Sequence, residues 1–87
     1  MRKIAFEGSS FEHLFDWANA NPKKLLKILE LIESARRTPF QGIGKPEPLK
    51  HEFKGCWSPR IDDEHRLVYM VSDDAITVLS CKYHYDS

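Results

Sequence analysis

A glutamate set between two prolines, Lys45-Pro46-Glu47-Pro48, is followed closely by Lys50 and His51. Further along come Glu64-His65-Arg66-Leu67-Val68-Tyr69 and a tail that carries Lys82-Tyr83-His84-Tyr85. A carboxylate, a histidine and several cations are the parts that metal-independent RNA cleavage needs. A base takes the proton of a ribose 2′-OH, cations hold the phosphate, and an acid protonates the departing 5′ oxygen. The convergent carboxylates of a metal-dependent hydrolase are not apparent in the chain.

Taken one by one, these residues leave alternatives open. Pro46 has a fixed φ and Pro48 holds Glu47 toward extended geometry, so the carboxylate stands on a stiffened backbone. The same glutamate could equally be a solvated loop residue. Arg66 has a planar guanidinium able to take two phosphate oxygens, with Lys50 as a second cation; Arg66 could instead pair with Asp62 or Glu64. His84 carries the side chain that titrates nearest neutral pH, although a lone histidine near a C-terminus is ordinarily a solvated one. Tyr85 could lie against a base face or be an exposed aromatic. Lys45, Arg60 and Lys82 are candidate RNA contacts, as is the Arg36-Arg37 pair, and His51 could sit at the rim of the site. His65 reads as a structural strand histidine, Trp57 as core, and Cys56 and Cys81 as small buried apolar side chains.

Composition bounds the possibilities. The 87 residues make a single domain spanning 1–87, of which 41% are hydrophobic and 30% charged. That is the balance of a globular protein rather than a disordered one. The 2 cysteines have no metal-type spacing and imply no disulfide framework, so a reducing cytoplasm is the expected compartment. No apolar run approaches the roughly 18 residues of a membrane span, and the N-terminal stretch is too short and interrupted for a signal peptide. The 13 Lys+Arg are matched by 13 Asp+Glu. Since phosphate neutralisation supplies much of the affinity for nucleic acid, tight autonomous RNA binding is not expected. The charge is unevenly placed, however: Arg36, Arg37, Lys45, Lys50, Lys54 and Arg60 face only Glu47 and Glu52 between residues 35 and 60.

The elements that must position these groups follow from periodicity and punctuation. Arg2 to Phe6 reads as a strand. Ser9 with Glu12 is a capping-box signature opening a helix whose apolar stripe is Phe11, Leu14, Phe15 and Ala18, with Trp17 beside it. Asn21-Pro22 caps a second helix running to about Arg37. Its apolar residues spread around about 220° at ~100° per residue, wider than a one-sided stripe. Either the helix is wedged between the sheet and the first helix, or part of it is a dimer face. A long loop, 38–54, punctuated by glycine and proline, precedes strands at about 57–61, 65–71 and 76–85. Helices on one face of a twisted antiparallel sheet, an α+β domain, is the expected fold. The last hairpin must bring Arg66, Lys82 and His84 to one face. A two-residue turn puts them on opposite faces, so a three-residue turn at 73–75, pairing Arg66 with Lys82, or an equivalent bulge is expected.

Five blocks stand in register with a known pattern: Glu-Ser-Ala-Arg-Arg-Thr-Pro-Phe (33–40), Gly-Lys-Pro-Glu-Pro-Leu-Lys-His (44–51), Gly-Cys-Trp-Ser (55–58), Glu-His-Arg-Leu-Val-Tyr (64–69) and Tyr-His-Tyr (83–85). Together they resemble the YoeB toxins of the wider RelE superfamily, over nearly the whole chain. The resemblance implies a RelE-like fold and a cytoplasmic, ribosome-dependent messenger-RNA endonuclease acting in the A site without a cofactor. It implies Glu47 as base and His84 as acid, with Arg66, Lys50 and Tyr85 completing the catalytic set. It also implies a YefM-type antitoxin, disordered until bound, and a tendency to dimerise; DNA would be reached only through the antitoxin complex. Where the family reads Trp-Ser-Arg-Arg, this chain has Trp57-Ser58-Pro59-Arg60, one cation and one N–H fewer. The competing reading is a catalytically silent binding module that acts with its antitoxin as an autorepressor.

Overall fold

A computed structural model describes residues 1–83 of the chain. Strand β1 (Lys3–Phe6) leads into helices α1 (Ser10–Ala20) and α2 (Pro22–Arg37). The short strands β2 (Glu47–Pro48) and β3 (Cys56–Ser58) follow, and β4 (Val68–Val71) and β5 (Ala75–Ser80) are the last elements among the described residues. They form one 5-stranded sheet in the order β1-β5-β4-β3-β2. β1 runs parallel to β5 while the other pairs are antiparallel, so the sheet is mixed rather than purely antiparallel. The two intervening helices make this possible, since a parallel neighbour needs a long crossover.

The helices cover one face. Ile28, Leu31, Ile32 and Ala35 of α2 meet Leu67, Tyr69, Ile76, Val78 and Cys81 of the sheet in the main core. The wedged reading of α2 thus accounts for its buried side, and leaves Leu26 and Leu29 exposed. In α1 Trp17 is buried in the main core, with Leu14 packed against it, and its indole N–H donates to the Cys81 carbonyl at 2.8 Å. Phe11 and Phe15, expected in the buried stripe, are exposed and stack edge to face with one another, with Phe11 continuing to Phe6. The capping box does not form: Ser9 precedes α1 without a side-chain cap, and it is the buried Ser10 hydroxyl that accepts the Glu7 N–H at 3.1 Å. Asn21 does cap α2, accepting the Lys24 N–H at 3.2 Å.

Cys56 and Val68 alternate with Trp57 and Tyr69 along their strands and therefore point to the opposite face. There they form a second, smaller cluster with Leu49, supported by Phe53 and Leu79. The 38–54 segment is therefore not structureless: it supplies β2, a single 3₁₀ turn over His51–Phe53, and part of this cluster.

The last hairpin takes the bulged form. Its turn has two residues, with Ser72 N–H bonded to Ala75 O at 2.9 Å, rather than the three-residue loop expected. Val71 lies opposite Ile76 and Tyr69 opposite Val78, but Val68 lies opposite Ser80. Leu79 is the extra residue. It changes the facing of everything after it, so Ile76, Val78 and Cys81 share the helix side although the last is three residues on.

Candidate active site

Glu47 and Arg66 come together at the β3-β2 end of the sheet, where α2 also reaches. Glu47 is opposite Ser58 in the β2–β3 pair, and Arg66 forms an isolated bridge with Arg60 just past the ends of β3 and β4. The Arg66 guanidinium Nη2 stands 3.9 Å from Glu47 Oε2, and their side chains are 15% and 68% exposed respectively. Arg66 is held from below: Nε donates to Ser58 Oγ at 3.0 Å and Nη2 to Ser58 O at 2.6 Å. The cation is thus fixed and the carboxylate wet, as a phosphate clamp beside a proton acceptor requires.

The loop carrying Glu47 is seated at Gly44. This residue adopts φ +76°, and a Cβ there would lie 2.8 Å from Leu31 Cδ2 and 2.9 Å from Pro59 Cβ. Its carbonyl accepts the Arg60 N–H at 2.9 Å. Lys45 follows with φ 50°, a left-handed conformation that turns the chain sharply into Pro46-Glu47-Pro48. Pro59, next to this contact, is fully buried one residue beyond β3, and its carbonyl accepts the Leu67 N–H at 3.1 Å. Its missing N–H therefore interrupts no pairing within β3.

Glu47 and Arg66 line a cavity of about 490 Å³, together with Lys45, Arg60 and, from α2, Lys27 and Glu30. Four cations against two carboxylates make it suited to a polyanion. Of the sequence candidates, Lys45 and Arg60 are brought to this cavity. Lys50 and His51 are exposed beside it, at the start of the 3₁₀ turn, and do not line it. Lys82, expected on the Arg66 face, instead pairs with Asp16 of α1 at 3.3 Å. The opposite partner of Arg66 is Tyr83, whose carbonyl accepts the Arg66 N–H at 2.8 Å, one residue beyond the expected register. His84 and Tyr85 lie outside the described residues.

What precedes His84 is tightly held. Tyr83, at φ 70°, donates its N–H to His65 Nδ1 at 2.8 Å. The His65 ring stands edge-on to Trp17 at 4.9 Å, which makes it the structural histidine expected. Cys81 N–H donates to His13 Nδ1 at 3.2 Å. Burial, with help from Lys82, holds the His13 pKa below its ordinary value. Burial also pushes the Cys81 thiol up to about 12 and raises that of Cys56, so neither presents a thiolate. Trp57 packs on the core and meets Phe40 at 4.9 Å.

Two sets of residues were not singled out from the sequence. Lys27 and Glu30 sit on α2, whose exposed charges give no sign of which cavity they border. Ser58 had a signal: it shares strand parity with Cys56, and the β3–β4 register that reveals its partner is a matter of pairing, not of spacing.

Residues 6–85 match the family model of the YoeB-like toxin of bacterial type II toxin–antitoxin systems. Toxin YoeB of Escherichia coli K12 is 48% identical over 83 residues, covering 95% of this chain and 99% of that protein. The solved YoeB/ParE toxin from Agrobacterium tumefaciens superposes with a TM-score of 0.91 at 42% identity, covering 98% of this chain and 100% of the other. YoeB from Staphylococcus aureus is similar both as a dimer (TM-score 0.88, 45% identity, 97% and 98% covered) and in a YoeB–YefM complex (TM-score 0.86, 45% identity, 98% and 99% covered).

Proposed function

The chain belongs to the YoeB toxin family of type II toxin–antitoxin systems, and on that premise we propose that it is a ribosome-dependent messenger-RNA endonuclease. The observation that carries this reading is the wet Glu47 carboxylate held 3.9 Å from a fixed Arg66 at a cation-lined cavity. Glu47 takes the ribose 2′-OH proton. The 2′ oxygen attacks phosphorus while Arg66 binds the non-bridging oxygens, whose charge grows in the transition state. The bond from phosphorus to the 5′ oxygen breaks, and His84 delivers a proton to the leaving oxygen. The products are a 2′,3′-cyclic phosphate and a 5′-hydroxyl end. Tyr85 stacks on a base, Lys45 and Arg60 contact backbone, and Lys50 approaches from the neighbouring turn.

The zero net charge fits an enzyme whose substrate is presented by the ribosome rather than captured alone. A YefM-type antitoxin is the proposed inhibitor, by likeness to the Staphylococcus aureus complex. A second copy is the proposed partner of the apolar residues left exposed on the helices.

Primer extension on one message, with and without translating ribosomes, tests the reading. Cuts that require ribosomes and disappear in Glu47→Ala and His84→Ala are expected. Equal cutting of naked RNA would remove the ribosome from the mechanism, and no cutting in either condition would favour the silent binding module.

A further inference from the structure

Ser58 is the residue on which both proposed reacting groups converge. It is fully buried, lies opposite Glu47 across β2–β3, and gives Arg66 two acceptors, one from its hydroxyl and one from its carbonyl. Building on the nuclease reading above, we propose that Ser58 is a positioning residue that holds Arg66 off Glu47 and so keeps both groups available to the substrate.

The argument rests on geometry and charge. At 3.9 Å the Arg66–Glu47 pair lies beyond hydrogen-bond length. An arginine and a glutamate brought this close would otherwise close into a short two-pronged pair, the favoured arrangement of these ions. Such a pair would occupy the carboxylate that must accept a proton and the guanidinium that must bind phosphate. The bonds to Ser58 engage Nε and Nη2, which share one edge of the planar group. Among the described residues the Nη1 N–H groups have no partner, and they can meet substrate oxygens. The acceptors are neutral, so the positive charge is undiminished; a carboxylate in the same place would cancel it. A buried hydroxyl without a partner is costly, and the bond from Arg66 satisfies this one.

A serine that only filled space would give a different pattern under substitution. Single-turnover cleavage of a ribosome-bound message is measured for Ser58→Ala, Ser58→Cys, Arg66→Ala and the double variant Ser58→Ala/Arg66→Ala, with melting temperature recorded for each. Ser58→Cys keeps the volume and weakens the acceptor. Both serine variants are expected to lower the maximal rate by about tenfold with KM little changed, as loss of a transition-state contact requires. Because Ser58 acts through Arg66, the double variant is expected to cut no more slowly than Arg66→Ala alone. Wild-type rates in both folded serine variants, or losses that multiply in the double variant, would overturn the positioning role and leave the nuclease reading standing. Full activity in Arg66→Ala would overturn the positioning role together with the part given to Arg66, whereas absence of cleavage by the wild-type protein would overturn the nuclease reading.

Discussion

The two halves of the sheet are built differently. On the β1-β5-β4 side, strands of four to six residues pair along their length, and Tyr69, Ile76 and Val78 of β4 and β5 are buried in the main core with α2 while β1 is largely exposed. On the β3-β2 side, the strands have three and two residues and lean on a cluster whose buried members are only Leu49, Cys56 and Val68. Glu47 and Arg66, the described part of the proposed site, lie toward the thin side, with Lys27 and Glu30 of α2 bordering their cavity. The difference teaches that the chain separates what keeps it folded from what reacts: the long strands and α2 carry the core, while single contacts at Gly44 and Ser58 aim the reactive side chains.

That separation can be broken on purpose. The largest effect is expected on the thick side, where Ile76→Ala removes a fully buried side chain of the main core. It should cost about 2–5 kcal/mol in chemical denaturation, and cleavage per folded molecule should hold near wild type. Next comes Gly44→Ala. Its φ of +76° and the 2.8 Å approach to Leu31 force the Glu47 loop to shift. A stability loss of about 1–3 kcal/mol is expected for a strained left-handed residue. Cleavage should fall by about 10²-fold if Glu47 moves by an ångström. Proportionate losses from Ile76→Ala in activity and stability alike would show that the halves are not separable.

The smallest effect concerns pH. The folded state holds the His13 pKa below the ordinary histidine value of about 6.5, chiefly through burial. The unfolded chain therefore binds this proton more readily, and stability falls as pH drops below that value. The contribution is complete above it and is lost through the lower, folded-state pKa. His13→Asn keeps an acceptor near the Cys81 N–H without the titration, and should flatten melting temperature between about pH 7 and pH 5. A slope unchanged by the substitution would place the sensitivity elsewhere.

The thick side was legible from the sequence only where local signals decide. The α2 pattern and its Asn21-Pro22 start translate directly into a capped, half-wrapped helix, because capping is a local event. α1 was misjudged where tertiary context decides. Trp17 and Leu14 pack on the core while Phe11 and Phe15 are left outside, and Ser10 rather than Ser9 turns inward. The parallel docking of β1 is likewise set by distant packing. The turn of the last hairpin was misjudged, yet the alternative of a bulge followed from requiring that face to change. At the site, the proline-bracketed Glu47 and the cations Lys45 and Arg60 were readable as types in a pattern. Lys82 was placed by extrapolating a register that breaks at Tyr83, where φ is 70°. Lys50 and His51 turned aside because the chain leaves β2 for a 3₁₀ turn.

The prolines flanking Glu47 have a further effect, on self-association. Leu49 N–H points inward to Cys56 O at 2.9 Å, so the backbone nitrogen of Pro48, one residue away, faces outward. By the same alternation so does that of Pro46. Neither carries a hydrogen, and the outer rim of β2 therefore offers no donor at the places where a foreign strand would dock. The sheet is sealed against end-to-end growth at the rim beside the site. Crowded copies of the chain therefore lack the donors to zip into a fibril through this edge.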